Sequence, residues 1–157
     1  MRKRLISQAV PRPGLSDQVW LNLERVASLE VTSEEEGHPV ESVLRGDDKG
    51  GWRAASAGTQ TIRLIFDEPQ KFTRIWLAFE DMENTRTQEF VLRWSPDTGG
   101  SFREIVRQQW NFSQPSAVRE TEDYAVELRG VKMLELVIVP DIKGGAARAS
   151  LRDLRLA

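Results

Sequence analysis

The segment Thr87–Ile105 constrains the fold of this chain more than any other. Phe90, Leu92 and Trp94 alternate with Glu89 and Arg93, the two-residue period of a strand with one face buried and the other wet. Ser95-Pro96-Asp97-Thr98-Gly99-Gly100 then concentrates turn formers before a second strand begins at Phe102. The segment is therefore expected to close as an antiparallel β-hairpin.

The rest of the chain repeats that rhythm. Strands are expected near Leu29–Thr32, Thr61–Phe66, Thr73–Phe79, Gln88–Trp94, Phe102–Gln109, Tyr124–Leu128, Met133–Val139 and Ser150–Leu156. Turn signals separate them, among them Gly50-Gly51, Glu68-Pro69, Gln114-Pro115, Arg129-Gly130 and Gly144-Gly145. About eight short strands at this spacing specify an all-β sandwich or barrel, and their alternation favours antiparallel pairing. Ahead of them, Ser16 is read as the N-cap of one short helix carrying Val19, Trp20, Leu23 and Val26. At 157 residues the chain fits one domain, expected over 16–157, behind an irregular or flexible arm at 1–15.

Several strands are apolar on both faces. Ile62, Leu64 and Phe66 oppose Ile65; Ile75, Leu77 and Phe79 oppose Trp76; Leu134, Leu136 and Ile138 oppose Val137 and Val139. One row makes the core. The second needs a cover, which the Trp20/Leu23 helix is expected to supply.

From Val31 onward the order of landmarks resembles the discoidin, or coagulation-factor type C, domain of the galactose-binding-like superfamily. The carrying residues are Val31-Thr32-Ser33, the His38–Asp47 segment, Gly51-Trp52-Arg53-Ala54, Gln60–Phe66, the hairpin from Phe90 through Ser95, Asp97 and Gly100 to Phe102, and Leu151–Leu156. The resemblance implies an eight-stranded antiparallel jelly-roll sandwich with binding sites on its end loops. It also implies Trp52 as a buried tryptophan and a structural calcium near Arg45–Gly50. Asp47 and Asp48 would supply two oxygens of the six to eight that Ca²⁺ takes, but Ser150 stands where such domains often place a further Glu.

Composition excludes much chemistry. There is no cysteine, hence no disulfide, thiolate metal site or Cys nucleophile. Twenty-two basic against 24 acidic residues give a net charge of −2, which argues against general polyanion binding. Arg103, Arg107 and Arg119 form no aromatic-interleaved basic stripe for nucleic acid. Met1-Arg2-Lys3-Arg4 precedes only Leu5 and Ile6 before polar residues. A signal-peptide core is thus not recognised, no apolar stretch is long enough to span a bilayer, and a cytoplasmic location is expected.

His38 is the one imidazole, no Gly-x-Ser-x-Gly elbow accompanies it, and the acidic clusters read as solvated surface. Ser95-x-Asp97-x-Gly99-x-Ser101-Phe102 also looks like the Asp-box of sialidase propellers; as a single copy it reads as turn chemistry. A non-catalytic module is therefore expected, most readily one that binds carbohydrate. Trp110 and Asn111, placed in an end loop, are its stacking platform, and Arg53, Glu80, Asp81, Arg86 and His38 its polar contacts. The alternative is an intracellular protein-docking domain that uses the apolar second face.

Overall fold

The computed structural model describes residues 1–3, 12–45 and 50–157. Among the described residues, two short helices, α1 (Leu23–Val26) and α2 (Glu41–Arg45), accompany eight strands. These are β1 (Ala27–Val31), β2 (Trp52–Arg53), β3 (Gln60–Glu80), β4 (Arg86–Ser95), β5 (Arg103–Phe112), β6 (Arg119–Val139), β7 (Ser150–Leu151) and β8 (Asp153–Leu156). Asp47 and Asp48, the expected calcium ligands, lie outside the described residues.

The all-β, antiparallel jelly-roll expectation holds, with a different division into strands. Thr61–Phe66 and Thr73–Phe79 belong to one strand, β3, and Tyr124–Leu128 and Met133–Val139 to another, β6. These two pair along their whole lengths, with register shifts between Ile65 and Arg74. The shifts let each strand bend from one layer of the sandwich into the other, because a bulge sharpens local twist. The first half of β3 pairs with β1, and the second half of β6 with β4, which in turn pairs with β5; this is the larger layer. The second half of β3 pairs with β8 in the smaller layer. β2 and β7 form a separate two-stranded ribbon.

The core fills the space between the layers. Phe79 of the smaller layer stacks on Phe90 of the larger, ring centroids 5.1 Å apart. Trp52 is fully enclosed and donates its indole N–H to the Ser33 carbonyl at 2.9 Å. Burial of such side chains supplies the main driving force.

The expected hairpin is present as β4 and β5. Asp97 shapes its turn: Oδ1 accepts from the Ser95 hydroxyl at 2.7 Å and from the amides of Gly99 and Gly100 at 3.0 and 2.7 Å. Gly99 needs its glycine, since its φ is +104°.

The two outer faces are managed differently, and neither as expected. The helix begins only at Leu23; residues 12–22 before it run as turns and extended chain across the smaller layer. Arg74, buried on that face, holds this strap by donating to the Pro13 carbonyl at 2.6 Å and to Gln18 Oε1 at 3.2 Å, while Trp20 lies over its guanidinium. The pull of a buried guanidinium on carbonyl oxygens outweighs the helical spacing of Val19 and Trp20. Trp76 is half-buried beneath Arg155, not in the core.

On the larger layer, Ile65, Val91 and Val137 stay half-buried, with no helix among the described residues over them. Glu135 stands in their midst and pairs with Arg63 (2.6 Å) and Arg93. The row is extended by Glu30 beside Arg63, and a neighbouring group joins Arg107 to Glu104 and Glu89. A charged ladder thus crosses what sequence alone reads as an apolar face.

Candidate functional site

One end of the sandwich is hollow. An open cavity of about 510 Å³ is walled by Arg53 of β2, Glu80 at the end of β3, Asn84 in the β3–β4 loop, Asp141, Arg148 and Ser150. A recess of about 210 Å³ adjoins it, sharing Arg53, Glu80 and Asp81 and adding His38 and Met82. Strand ends create this site: β3 stops, the chain turns at 81–85, and β4 starts at Arg86.

Asp81 fixes the turn. Its Oδ1 accepts from the amides of Glu83 and Asn84, both at 2.9 Å, and its Oδ2 accepts from Arg86 Nε at 2.6 Å. Burial pushes this carboxyl up, but the Arg86 hydrogen bond and the two amides together hold it below the usual range. Gln114 clamps the same loop by donating to the carbonyls of Asp81 and Asn84 at 3.0 and 2.9 Å. Arg86 is itself enclosed and fully used. It donates to the Pro140 carbonyl at 2.7 Å and Gln88 Oε1 at 3.2 Å, and its guanidinium lies 4.5 Å from the centre of the Phe112 ring. It therefore buttresses the wall and has little left to offer a ligand.

The rim carries the accessible chemistry. Glu80 lies between Arg119 at 2.7 Å and Arg152 at 3.9 Å; Glu35 lies between Arg53 at 3.8 Å and Arg148 at 3.4 Å. Surface pairs of this length are weak and exchange readily for a ligand. Guanidinium donors thus alternate with carboxylate acceptors at ion-pair spacing, a set suited to vicinal hydroxyls. His38 Nδ1 is buried without a partner among the described residues, and its backbone amide bonds to the Glu35 carbonyl at 2.9 Å. Among the described residues no three His, Asp or Glu side chains are grouped to hold a metal, and no helix is long and apolar enough to cross a membrane.

Arg53, Glu80, Asp81, Arg86 and His38 thus come together from separate stretches of chain. Trp110 and Asn111 do not join them. Both lie within β5, where Trp110 pairs with Gln88 and Asn111 with Thr87, so the expected end loop is strand. Strand β4 starts earlier than its alternation suggests, and its first residues draw 110–112 into the ladder. Trp110 is half-buried against the core, and no aromatic ring among the described residues lines the cavity. Arg148 and Asp141 escaped sequence reasoning: Gly144-Gly145 marks a turn but does not say that the loop folds over β2.

The F5/8 type C domain model matches residues 28–136. No curated protein matches the sequence. Among solved structures, the family 32 carbohydrate-binding module of Clostridium perfringens NanJ, in complex with galactose, is similar at 13% identity and a TM-score of 0.62, covering 87% of this chain and 96% of that one. The family 32 module of AlyQ, in complex with 4,5-unsaturated mannuronic acid, is similar at 11% identity and a TM-score of 0.65, with coverages of 89% and 98%. XRCC1, bound to the catalytic domain of DNA polymerase β, is similar at 16% identity and a TM-score of 0.58, with coverages of 82% and 92%.

Proposed function

Since this chain belongs to the F5/8 type C domain family, we propose that it is a non-catalytic binding module that takes a carbohydrate into the hollow end between Arg53, Glu80, Asn84 and Arg148. The observation that carries this reading is the alternation of guanidinium and carboxylate groups around a concave, solvent-open cavity. Sugar hydroxyls both donate and accept, so such a rim satisfies them in pairs. The solved modules with galactose and with mannuronic acid support the class of ligand. Catalysis forms no part of the proposal. Asp81 is committed to Arg86, and Glu80 is neutralised by two arginines.

The test is a glycan array with the purified chain, run with calcium and with a chelator, alongside Arg53→Ala and Arg148→Ala. Binding of one sugar class by the parent, weakened at least about tenfold in either variant (roughly 1.4 kcal/mol), is expected. Loss on chelation would bring calcium, at Asp47 and Asp48, into the proposal. A blank array in both buffers overturns the reading for the sugars displayed.

A protein partner on the outer face of the larger layer is the second reading, favoured by Ile65, Val91 and Val137, which stay half-buried there among the described residues. The Arg63–Glu135–Arg93 ladder makes that face more polar than a stable docking surface requires. The carbohydrate reading is therefore preferred.

A further inference from the structure

Behind the cavity wall a line of polar side chains runs into the interior. Asp81 accepts from Arg86 Nε at 2.6 Å, Arg86 Nη1 donates to Gln88 Oε1 at 3.2 Å, and Gln88 Nε2 donates to Glu120 Oε1 at 3.2 Å. Glu120 is fully enclosed, and its second oxygen has no partner among the described residues. The same holds for the Tyr124 hydroxyl and the Trp110 indole N–H nearby. A carboxylate shut away with one amide donor is poorly compensated, whereas a carboxyl that keeps its proton has a donor to offer.

We propose that Gln88 and Glu120 are positioning residues for the binding loop 81–85, and that the proton on Glu120 keeps the loop in its binding geometry. This rests on the cavity being the carbohydrate site. The groups facing Glu120 are few. Among the described residues, its own strand supplies Glu122 and Tyr124; β4 supplies Gln88 and, beyond it, Arg86; β5 supplies Trp110, in register with Gln88; and β3 supplies Leu77 and Phe79, with Asp81 next on that face just past the strand's end. Burial, reinforced by the neighbouring Glu122 carboxylate, raises the Glu120 carboxyl to about 8.

The consequence is directional. An ionised Glu120 places a second negative charge beside Glu122, and the nearest cation able to answer it is Arg86. Only Gln88 separates the two. The guanidinium is then drawn inward, its bond to Asp81 Oδ2 lengthens, and the amides of Glu83 and Asn84 lose the fixed acceptor that shapes the loop. Ligand affinity falls as pH rises, although Glu120 touches no ligand.

The test follows the backbone amide resonances of Glu83 and Asn84 by NMR in the unliganded full chain between pH 6 and pH 10, in parent, Glu120→Gln and Gln88→Leu. The parent amides are expected to titrate with a midpoint near 8. In the glutamine variant this step disappears. In Gln88→Leu the Glu120 side-chain carboxyl still titrates, observed by carbon NMR, while the loop amides no longer follow it. Affinity for the sugar found on the array should weaken about fivefold or more from pH 6.5 to pH 9.5 in the parent and stay level in Glu120→Gln. Loop amides that titrate identically in parent and Glu120→Gln, or not at all in the parent, overturn the proposal even if sugar binds well. A blank array with titrating amides overturns the carbohydrate reading and leaves the coupling of Glu120 to the loop standing.

Discussion

Arg63 Nε lies 2.6 Å from Oε2 of Glu135, on the outward side of the larger layer, yet the carboxylate is closed off from solvent. Arg93, from the neighbouring strand, approaches its other oxygen, and the Phe102 ring lies beneath the Arg93 guanidinium at 4.1 Å. One acid thus ties three strands, because β3, β6 and β4 meet in register at Arg63, Glu135 and Arg93.

Glu135→Ala should therefore destabilise the domain by about 3 kcal/mol, the lower part of the range for breaking a buried ion pair, since both arginines keep access to water. Urea unfolding measures it. A loss below about 1 kcal/mol would match an ordinary surface pair instead.

Stability should also fall on the alkaline side. A carboxyl whose folded pKa is raised holds its proton more tightly when folded than when unfolded. From its ordinary value of 4.5 up to about 8, the unfolded chain releases a proton that the folded chain keeps. The free energy of unfolding declines through that window and levels above it. Melting temperatures of the parent should drop between pH 5 and pH 8.5 relative to Glu120→Gln; parallel curves would refute the assignment.

In acid the sign reverses. Asp97 is held low first by the Ser95 hydroxyl and then by the Gly100 amide, and Asp123 first by Arg74. Their contribution is complete above the ordinary carboxylate range and is lost as pH falls through their depressed values. Asp97→Ala should remove its share and lower stability modestly at neutral pH, since the turn amides of Gly99 and Gly100 lose their fixed acceptor but can turn to water. The variant should unfold with a weaker pH dependence below pH 4 and leave ligand binding unchanged.

Arg74→Met keeps the stem of a buried side chain but releases Pro13, Gln18 and Asp123 together. The strap ahead of α1 should loosen, and chymotrypsin should cut after Trp20 faster than in the parent, by about tenfold for a loss of roughly 1.4 kcal/mol in local opening. An unchanged cutting rate would mean that the strap is held by something other than Arg74.

The hairpin at 87–105 was legible because its determinants are local: alternation on either side of a turn whose Asp97 bonds amides two and three residues on. The continuity of β3 and β6 was not. Pro69 and Gly130 look like strand breaks, but Pro69 falls within the register shift between Ile65 and Gln70, and Gly130, at φ +69°, falls between the paired Leu128 and Val131. Turn formers and bulge formers are the same residues, and only the pairing partner distinguishes them. At the candidate site, Glu80, Asp81 and Arg86 could be read from their place at strand ends. The roles of Gln88 and Glu120 could not, because neither residue type signals burial, and the contact between them joins opposite layers.

Because β3 and β6 each run through both layers, the sandwich has no seam along which one layer could open without the other. Arg74, beneath the strap, and Glu80, at the hollow end, both belong to the second half of β3, which pairs with the first half of β6. Their pairing joins residues far apart in sequence, which predicts slow folding in a single cooperative step rather than layer by layer. A mutation beneath the strap should then lower the protection of the amides around Asp81 as much as one placed beside them, so hydrogen exchange would record the domain opening everywhere at once.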